Sequence, residues 1–444
     1  MSRMMFKTVA WLACSIVFLA VIAFTTTVEV RGGENRLPAV LTYPGREATA
    51  PWRKAAAQRI DKLRKGDLNI RVLNADGTPT EGAAVEVRMT RQAFPFATAV
   101  SSSMLVRRKG PDADRYRDMV DKLFTHVTIE YETCQIPWES NHQVALDAIK
   151  WLREHGKYVH GCHILWPHIS DGLPERLVAA KTKPDEVRRL VMAHVDEKLN
   201  ACKGQVREWN ALNELHTNRF FQESLGDEEG KRLVVETFRR AKQIDPSLRL
   251  AVNDFGDMAN PSREHIDGYL AWIRYLKEQR TAMDVVGLQC HFSQILRAPD
   301  DCMAMLDRFA AFGYPLHASE LDINLSDEAV QADYQRDIMT VLYSHPAVEK
   351  ITLWGFWEGR HWLPEAALWR TDWTIKPNGL AWMDLVFRQW RTNAALKTDH
   401  DGATALRAFL GDYEVTATYE GKSISRKVSL PSGGTTVELK LPAG

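Results

Sequence analysis

Short apolar segments alternate with longer amphipathic segments between about residues 95 and 390. Strands that alternate with helices predict a parallel sheet covered by helices. Eight such units in a stretch of this length predict an α/β fold of the (β/α)8 (TIM) barrel type, with a doubly wound open sheet as the structural alternative. The eight strand-like segments lie near 96–100, 124–130, 158–165, 206–212, 249–253, 284–290, 315–321 and 351–356.

Segments on both sides of this repeat have the alternating pattern of β-strands. Residues 67–73 and 84–89 flank a turn sequence at 74–77. Further alternating runs lie in the tail at 405–409, 413–419, 423–430 and 435–441. Neither the N-terminal nor the C-terminal segment has enough strands to form a stable β-sandwich alone. We therefore predict that the two segments form one accessory β-sandwich, whose sequence the barrel interrupts. The predicted organisation is a linker and helix (31–65), an N-terminal β segment (66–93), the barrel (94–392) and a C-terminal β segment (393–444).

The N-terminus has the pattern of a targeting segment. Arg3 and Lys7 precede an apolar run over residues 9–24. A basic flank followed by such a run is typical of a signal peptide or a membrane anchor. Residues 25–30 are rich in β-branched side chains and provide no clear cleavage site. We therefore expect residues 1–30 to direct export, in a secreted, periplasmic or membrane-anchored form.

Charge and cysteine content exclude some classes of function. The chain has 57 Lys and Arg against 57 Asp and Glu, so its formal net charge is zero. Nucleic-acid binders usually carry a basic excess, and no nucleic-acid partner is expected. Five cysteines lie beyond the leader, and none forms a Cys-x-x-Cys pair, which argues against a disulfide framework. One disulfide bridge in an oxidising compartment remains an alternative.

Two glutamates stand at the ends of predicted barrel strands, where the active sites of such barrels lie. The fourth strand-like segment leads into Asn213 and Glu214, and the seventh leads into Glu320. A single glutamate in this position is usually a loop carboxylate, but glycoside hydrolysis needs a pair, one protonated and one ionised. Asn213 could donate to a sugar hydroxyl, and His291 with Asp322 could hold Glu320 in orientation.

Several short motifs between residues 94 and 390 resemble those of glycoside hydrolase family 10 and occur in the family's order. Asn210 stands where the first of these motifs has Asp. The flanks also resemble plant-type members, at 74–79, 94–99 and 411–415. The motifs are Trp209–Glu214 (W-D-x-x-N-E), Ser319–Asp322 (T-E-L-D), Gly287–His291 (G-x-Q-x-H), Asn253–Phe255 (N-D-Y), His163–Leu165 with His168 (H-T-L…H), and Trp354–Trp362 (the tryptophan-lined eighth strand and its loop).

This resemblance implies retaining endo-hydrolysis of β-1,4-linked xylan, or of a related hemicellulose, by a monomer that needs no metal and no cofactor. It implies that Glu214 is the general acid/base and Glu320 the nucleophile, with Asp322 in an orienting role. The residues that it assigns to substrate binding are Glu130, His163, Asn213, Gln289, His291, Trp354 and Trp362.

The sequence departs from the family pattern on one side of the predicted site. Tyr131 and Cys134 stand where the family has an Asn and a Lys that bind the non-reducing-side sugar. Arg360 and His361 follow the eighth strand, where they could recognise a charged branch such as glucuronic acid or simply belong to a solvated loop. Two alternatives therefore stay open: a retaining β-glycosidase of altered polysaccharide specificity, and a non-catalytic carbohydrate-binding barrel.

Overall fold

A computed structural model describes residues 41–293 and 295–443. The predicted targeting segment lies outside these residues. Within the described ranges, no helix is both long enough and apolar enough to cross a bilayer.

The strands of the described chain form three sheets. They are β1 (Lys65–Leu73), β2 (Ala84–Gln92), β3 (Phe96–Val100), β4 (His126–Ile129), β5 (Tyr158–Leu165), β6 (Glu208–Asn213), β7 (Arg249–Asp254), β8 (Val285–Leu288), β9 (His291–Phe292), β10 (Leu316–Ile323), β11 (Val348–Leu353), β12 (Asn393–Lys397), β13 (Ala403–Phe409), β14 (Gly411–Tyr419), β15 (Lys422–Leu430) and β16 (Thr435–Lys440).

The helices lie mostly between the strands of the largest sheet. They are α1 (Pro51–Arg64), α2 (Ser102–Val106), α3 (Pro111–Leu123), α4 (Gln135–Glu154), α5 (Glu175–Ala179), α6 (Pro184–Cys202), α7 (Phe220–Leu225), α8 (Asp227–Ile244), α9 (Arg263–Glu278), α10 (Pro299–Ala310), α11 (Glu328–Ser344) and α12 (Pro377–Asp384). Short 3-10 turns at Glu358–Arg360 and Pro364–Ala366 follow the last barrel strand, and a π-helical turn at Leu385–Gln389 follows α12.

The largest sheet is a closed parallel barrel of eight strands. The hydrogen-bonded order runs β3-β4-β5-β6-β7-β8-β10-β11, and β11 pairs back with β3 through Ile351 and Phe96. The two-residue strand β9 extends one edge by pairing with β10. The predicted (β/α)8 barrel is thus confirmed, and the open-sheet alternative is excluded because the sheet has no free edge between β3 and β11.

Local sequence explains why the helices form where they do. Proline occupies the first position of α1, α3, α6, α10 and α12, where its missing N–H has no intrahelical partner to lose. Helix α8 shows two further features that favour a helix, acidic residues in the first turn and an apolar buried face. Asp227, Glu228 and Glu229 fill its first turn, where negative charge is favourable, and Val234 and Phe238 lie four residues apart on its buried face.

The two smaller sheets each combine strands from both ends of the chain. One has the order β13-β1-β16 and the other β12-β2-β14-β15. Strand β1 buries Leu68, Ile70 and Val72 while the residues between them are exposed, so each sheet keeps one apolar face. This arrangement confirms the accessory sandwich built from N- and C-terminal segments. The tail contributes five strands, one more than the sequence pattern predicted, because β12 was missed.

The barrel interior is closed by large side chains and by a buried cluster of charges. Gly161 makes room for Trp209, since a Cβ at residue 161 would lie 2.3 Å from the indole. Nearer the N-terminal ends of the strands, Lys350 Nζ lies 2.8 Å from Glu208 Oε1, and His317 Nδ1 lies 2.9 Å from the same oxygen. These three side chains are almost fully buried. Burial acts to raise the pKa of Glu208, but Lys350 and His317 outweigh it and hold that pKa well below its usual value.

Candidate active site

Two glutamates stand at the C-terminal end of the barrel, held there by the backbone of neighbouring strands. Glu214 directly follows β6, and its N–H donates to Asn253 O on β7 at 2.9 Å. Glu320 lies on β10, and its N–H donates to Gln289 O at 3.1 Å. The φ angle of Glu214 is 54°, a left-handed conformation that is uncommon for a residue with a side chain and occurs often at functional sites.

A continuous chain of side-chain amides joins the two carboxyl groups. Gln289 Nε2 lies 3.0 Å from Glu214 Oε1 and 3.3 Å from Asn213 Oδ1. Asn253 Nδ2 donates to the same Asn213 oxygen at 2.9 Å and to Glu320 Oε1 at 2.6 Å. The structure thus brings Asn213, Glu214, Gln289 and Glu320 together, as the sequence predicted.

The surroundings of Glu214 favour a proton on its carboxyl group in mildly acidic solution. Burial raises its pKa to about 6, against a hydrogen bond from Gln289 that lowers it, and the charges of Asp254 and Glu320 raise it further. Trp166 Nε1 donates to Glu214 Oε2 at 2.9 Å and fixes the orientation of the carboxyl group. A carboxyl group of this pKa can act as a general acid in mildly acidic solution.

Glu320 has a hydrogen-bond partner at each oxygen. Asn253 Nδ2 donates a hydrogen bond to Oε1, and His291 Nε2 lies 3.3 Å from Oε2. The other ring nitrogen of His291 lies 3.0 Å from Asp322 Oδ1, and Trp362 Nε1 donates to Asp322 Oδ2 at 2.7 Å. Burial acts to lower the pKa of His291, but Asp322 and Glu320 outweigh it and hold that pKa well above its usual value. The ring of His291 therefore lies between Glu320 and Asp322, and these neighbours favour its charged form.

Two tryptophans and a histidine border these carboxyl groups. Trp354 is buried in a cluster with Ala99 and Cys162. Trp362 is 41% exposed and meets the ring of His291 edge-on, with the ring centres 5.1 Å apart. His163 is buried beside Cys162. The exposed face of Trp362 offers an apolar surface of the kind on which sugar rings pack.

Comparison with known proteins identifies the family. Residues 87–383 match the sequence profile of glycosyl hydrolase family 10. The chain belongs to this family. The family 10 chain is 29% identical over 388 residues to the anti-sigma-I factor RsgI6 of Acetivibrio thermocellus, covering 84% of this chain and 47% of the relative. It is 27% identical over 372 residues to endo-1,4-beta-xylanase 1 of Arabidopsis thaliana, and the match covers 82% of this chain and 37% of the relative. It therefore spans less than half the length of either relative.

Solved structures share the barrel of this family 10 chain. Xylanase 10B of Thermotoga petrophila in complex with xylobiose superposes with a TM-score of 0.59 at 22% identity, over 67% of this chain and 95% of the other. Native xylanase 10B of Thermotoga maritima gives a TM-score of 0.59 at 23% identity, over 67% of this chain and 96% of the other. At this level of identity the likeness establishes the fold.

The side of the site where the sequence departs from the family pattern carries an unusual group of polar side chains. Burial raises the pKa of Glu130 to about 8, and the charge of Glu132 raises it further. Arg360 Nη2 donates to Ser101 Oγ at 3.2 Å, and its charge lowers the pKa of Glu130. Tyr131 is 50% exposed next to this group. These side chains offer hydrogen-bond donors and acceptors to a sugar on this side of the site.

His361 does not belong to that polar surface. Its ring is buried against Gly355, whose Cβ would lie 3.0 Å from it, and its Nδ1 accepts from Leu363 N at 3.1 Å. The side chain packs within the loop after β11, and its Nε2 is buried without a hydrogen-bond partner among the described residues. Arg360, which is exposed, remains available for a charged branch.

Sequence reasoning missed two residues of this family 10 site. Asn253 was noticed only as part of a motif, yet its amide contacts Glu320 and Asn213. Trp166 was not singled out at all, although it donates to Glu214. The place of Asn253 at the end of a barrel strand was a usable signal. Trp166 lies in the loop after β5, and no pattern in the sequence indicates where a loop indole points.

Two groups of side chains in the described part of the chain have the composition and spacing of metal ligands. One consists of Cys162, His163 and Glu320, all buried at the active site. The other is the exposed run Asp399 to Asp401, including His400. The hydrolysis that two carboxylates perform needs neither of them.

Proposed function

We propose that this protein is a retaining, endo-acting glycoside hydrolase that cleaves β-1,4-xylosidic bonds in xylan. One observation carries the proposal: a continuous set of side-chain amides links a carboxyl group with a pKa of about 6, Glu214, to a second carboxyl group, Glu320, that has a hydrogen-bond partner at each oxygen. Retaining glycoside hydrolysis uses such a pair, one carboxyl group as acid and the other as nucleophile.

The two carboxyl groups would act in sequence. Glu214 gives its proton to the glycosidic oxygen as Glu320 attacks the anomeric carbon, so that the bond to the leaving sugar breaks and a glycosyl–enzyme ester forms. Glu214, now ionised, then takes a proton from water, which attacks the same carbon and releases Glu320. Asn253 and His291 contact Glu320 throughout and hold it in line with the sugar.

Similar proteins support xylan as the substrate class. The Arabidopsis relative is an endo-1,4-beta-xylanase, and the Thermotoga petrophila xylanase was solved in complex with xylobiose. The exposed rings of Tyr131 and Trp362 lie on the loops after β4 and β11, and each offers a surface on which a sugar could pack.

A panel of polymers tests this function. Reducing-sugar release is measured on unbranched xylan, arabinoxylan, glucuronoxylan and a mixed-linkage β-glucan, with Glu320→Ala as the inactive control. We expect cleavage of the xylans and at least about tenfold slower cleavage of the β-glucan, since one extra carbon group in a fitted pocket changes specificity by about 10–200-fold. Preference for the β-glucan would reject xylan while keeping the chemistry.

A non-catalytic carbohydrate-binding role is the second candidate. It is favoured by one observation, that the relative with 29% identity is named an anti-sigma-I factor and not a hydrolase. Titration calorimetry with xylohexaose, followed by analysis of the recovered sugar, separates the two candidates. Binding with the oligosaccharide recovered intact would support the second candidate, whereas shorter products would support hydrolysis.

The pKa of Glu214 predicts how activity depends on pH. The acid must be protonated in the free enzyme, so we expect kcat/KM to fall as pH rises through about 6. Asp254→Asn removes a negative charge that raises this pKa, and we expect the descending limb to move to lower pH by less than about 1 unit. Asp399→Asn, at an exposed site, is the control and leaves the limb in place. A limb centred above pH 8 in the unmodified enzyme would exclude Glu214 as the titrating acid.

We also propose, from the sequence alone, that residues 1–30 direct export and that the catalytic unit acts as a monomer. Fractionation of cells that express the full chain tests the first point, and sedimentation of the purified protein tests the second.

A further inference from the structure

Three side chains at the active site converge in a way that the proposed hydrolysis does not require. Cys162 and His163 are consecutive residues of β5, and Glu320 lies on β10. Each offers one ligand atom, and these atoms all lie within 4.8 Å of one another. The three residues are at most 4% exposed. The thiol is the unexpected member, because no step of hydrolysis uses it. Its Sγ lies 3.1 Å from Nδ1 and 3.0 Å from Nε2 of His163, so it stands against the ring and in line with neither nitrogen.

We propose that Cys162, His163 and Glu320 form a binding site for a divalent cation of the zinc class. Sulfur, imidazole nitrogen and carboxylate oxygen are the three donor types that Zn²⁺ accepts, whereas Mg²⁺ and Ca²⁺ prefer oxygen alone. Bonds of about 2.0–2.3 Å place tetrahedral ligands about 3.3–3.7 Å apart, so the imidazole has to turn one nitrogen toward the ion and move about 0.5 Å from the sulfur. A fourth position would stay open to water or to a sugar hydroxyl.

The surroundings already hold the carboxylate ligand in place. Asn253 Nδ2 donates to Glu320 Oε1 at 2.6 Å, and His291 lies 3.3 Å from the other oxygen. Partners of this kind orient metal ligands and strengthen binding. Ion binding forms bonds to sulfur, nitrogen and oxygen and releases one proton from the thiol of Cys162 to solvent. The thiolate and the carboxylate then balance the two charges of the ion within a buried site.

Occupancy of this site would stop hydrolysis. An ion bound to Glu320 occupies the oxygen that attacks the sugar, so ion and substrate exclude one another and a chelator restores activity. This consequence rests on the proposed function. The binding itself does not, and it is therefore measured directly.

Calorimetric titration with Zn²⁺ tests the site in a His400→Ala background, which removes the exposed histidine of the second candidate group. Cys162→Ser is compared with Cys202→Ser, a buried cysteine of α6 outside the cluster. We expect one ion per chain, with an affinity that falls more than about tenfold in Cys162→Ser and stays unchanged in Cys202→Ser, because even the loss of an indirect ligand partner weakens binding about 10–100-fold. Co²⁺ supplies a second readout, since a thiolate ligand adds a charge-transfer band that Cys162→Ser must abolish.

Two results would overturn the site: no binding of Zn²⁺ in the His400→Ala protein, or equal affinity in Cys162→Ser and Cys202→Ser. If Cys162→Ser does not fold, Glu320→Gln in the same titration takes its place. That variant removes the carboxylate ligand, and unchanged Zn²⁺ affinity in it would equally reject the proposal. Mg²⁺ is titrated in parallel, and binding as tight as that of Zn²⁺ would show that the sulfur takes no part.

Discussion

Replacement of Glu320 by Ala is expected to lower kcat on xylan by about 10⁴–10⁶-fold, the range observed when a nucleophile that works as part of a unit is removed. Glu320 is 4% exposed, and no other carboxylate takes the hydrogen bond of Asn253 that positions its Oε1. The variant should still fold, because Asn253 keeps its hydrogen bond to Asn213 and His291 keeps its contact with Asp322. Circular dichroism and initial rates on unbranched xylan measure the two effects. Glu278→Gln, an exposed residue at the end of α9, is the matched control and should retain full activity.

Azide turns this loss of activity into a test of stereochemistry. In Glu320→Ala a small anion can enter the space of the missing carboxylate and attack an aryl xylobioside from that face, which yields the α-xylobiosyl azide. In Glu214→Ala the nucleophile remains, and azide attacks the glycosyl–enzyme ester to yield the β product. Rescue of both variants with the same anomer would contradict the assignment of the two glutamates.

Replacement of Lys350 by Met is expected to lower the free energy of unfolding by about 3–5 kcal/mol, the effect of leaving one member of a buried ion pair without its partner. Lys350 Nζ lies 2.8 Å from Glu208 Oε1 and 2.9 Å from His160 Nδ1, inside the barrel. Urea unfolding followed by tryptophan fluorescence measures the change. Lys62→Met, an exposed residue of α1, should change the unfolding free energy by less than about 0.5 kcal/mol.

The double variant Glu208→Gln with Lys350→Met separates the ion pair from the packing around it. It leaves no unpaired charge, so we expect it to regain most of the stability that the single variant loses. If the double variant were as unstable as the single one, the stabilising part of Lys350 would be its packing and not its charge.

Much of the barrel could be predicted from the sequence, because each strand is a short apolar run between amphipathic helices. The run predicted at 158–165 matches β5, and that at 351–356 lies three residues beyond the start of β11. Strand β12 was missed because Asn393–Lys397 is half-exposed and lacks a continuous apolar face. Its identity as a strand depends on pairing with β2, which lies about 300 residues away in the sequence and leaves no local signal.

The site could be predicted less completely than the fold. Glu214 and Glu320 were found because strand ends in such a barrel meet at one face, a rule that needs no side-chain detail. Asn253 as a link between the carboxyl groups and the nearness of Cys162 to Glu320 depend on which way side chains point inside the barrel. The buried pair of Glu208 and Lys350 was not predicted either, because charged residues within strand-like runs give no indication of their partners.

The pairing of both chain ends in one sandwich has a consequence for the protein during synthesis. Strands β1 and β2 leave the ribosome first, but their partners β13, β14 and β16 follow only after the whole barrel. At about 5–20 residues per second, about 300 intervening residues take about 15–60 s, during which β1 and β2 expose apolar faces and unpaired edges. Such surfaces are what chaperones bind. A chain that ends before β13 keeps these surfaces exposed, because β1 and β2 then have no partner strands.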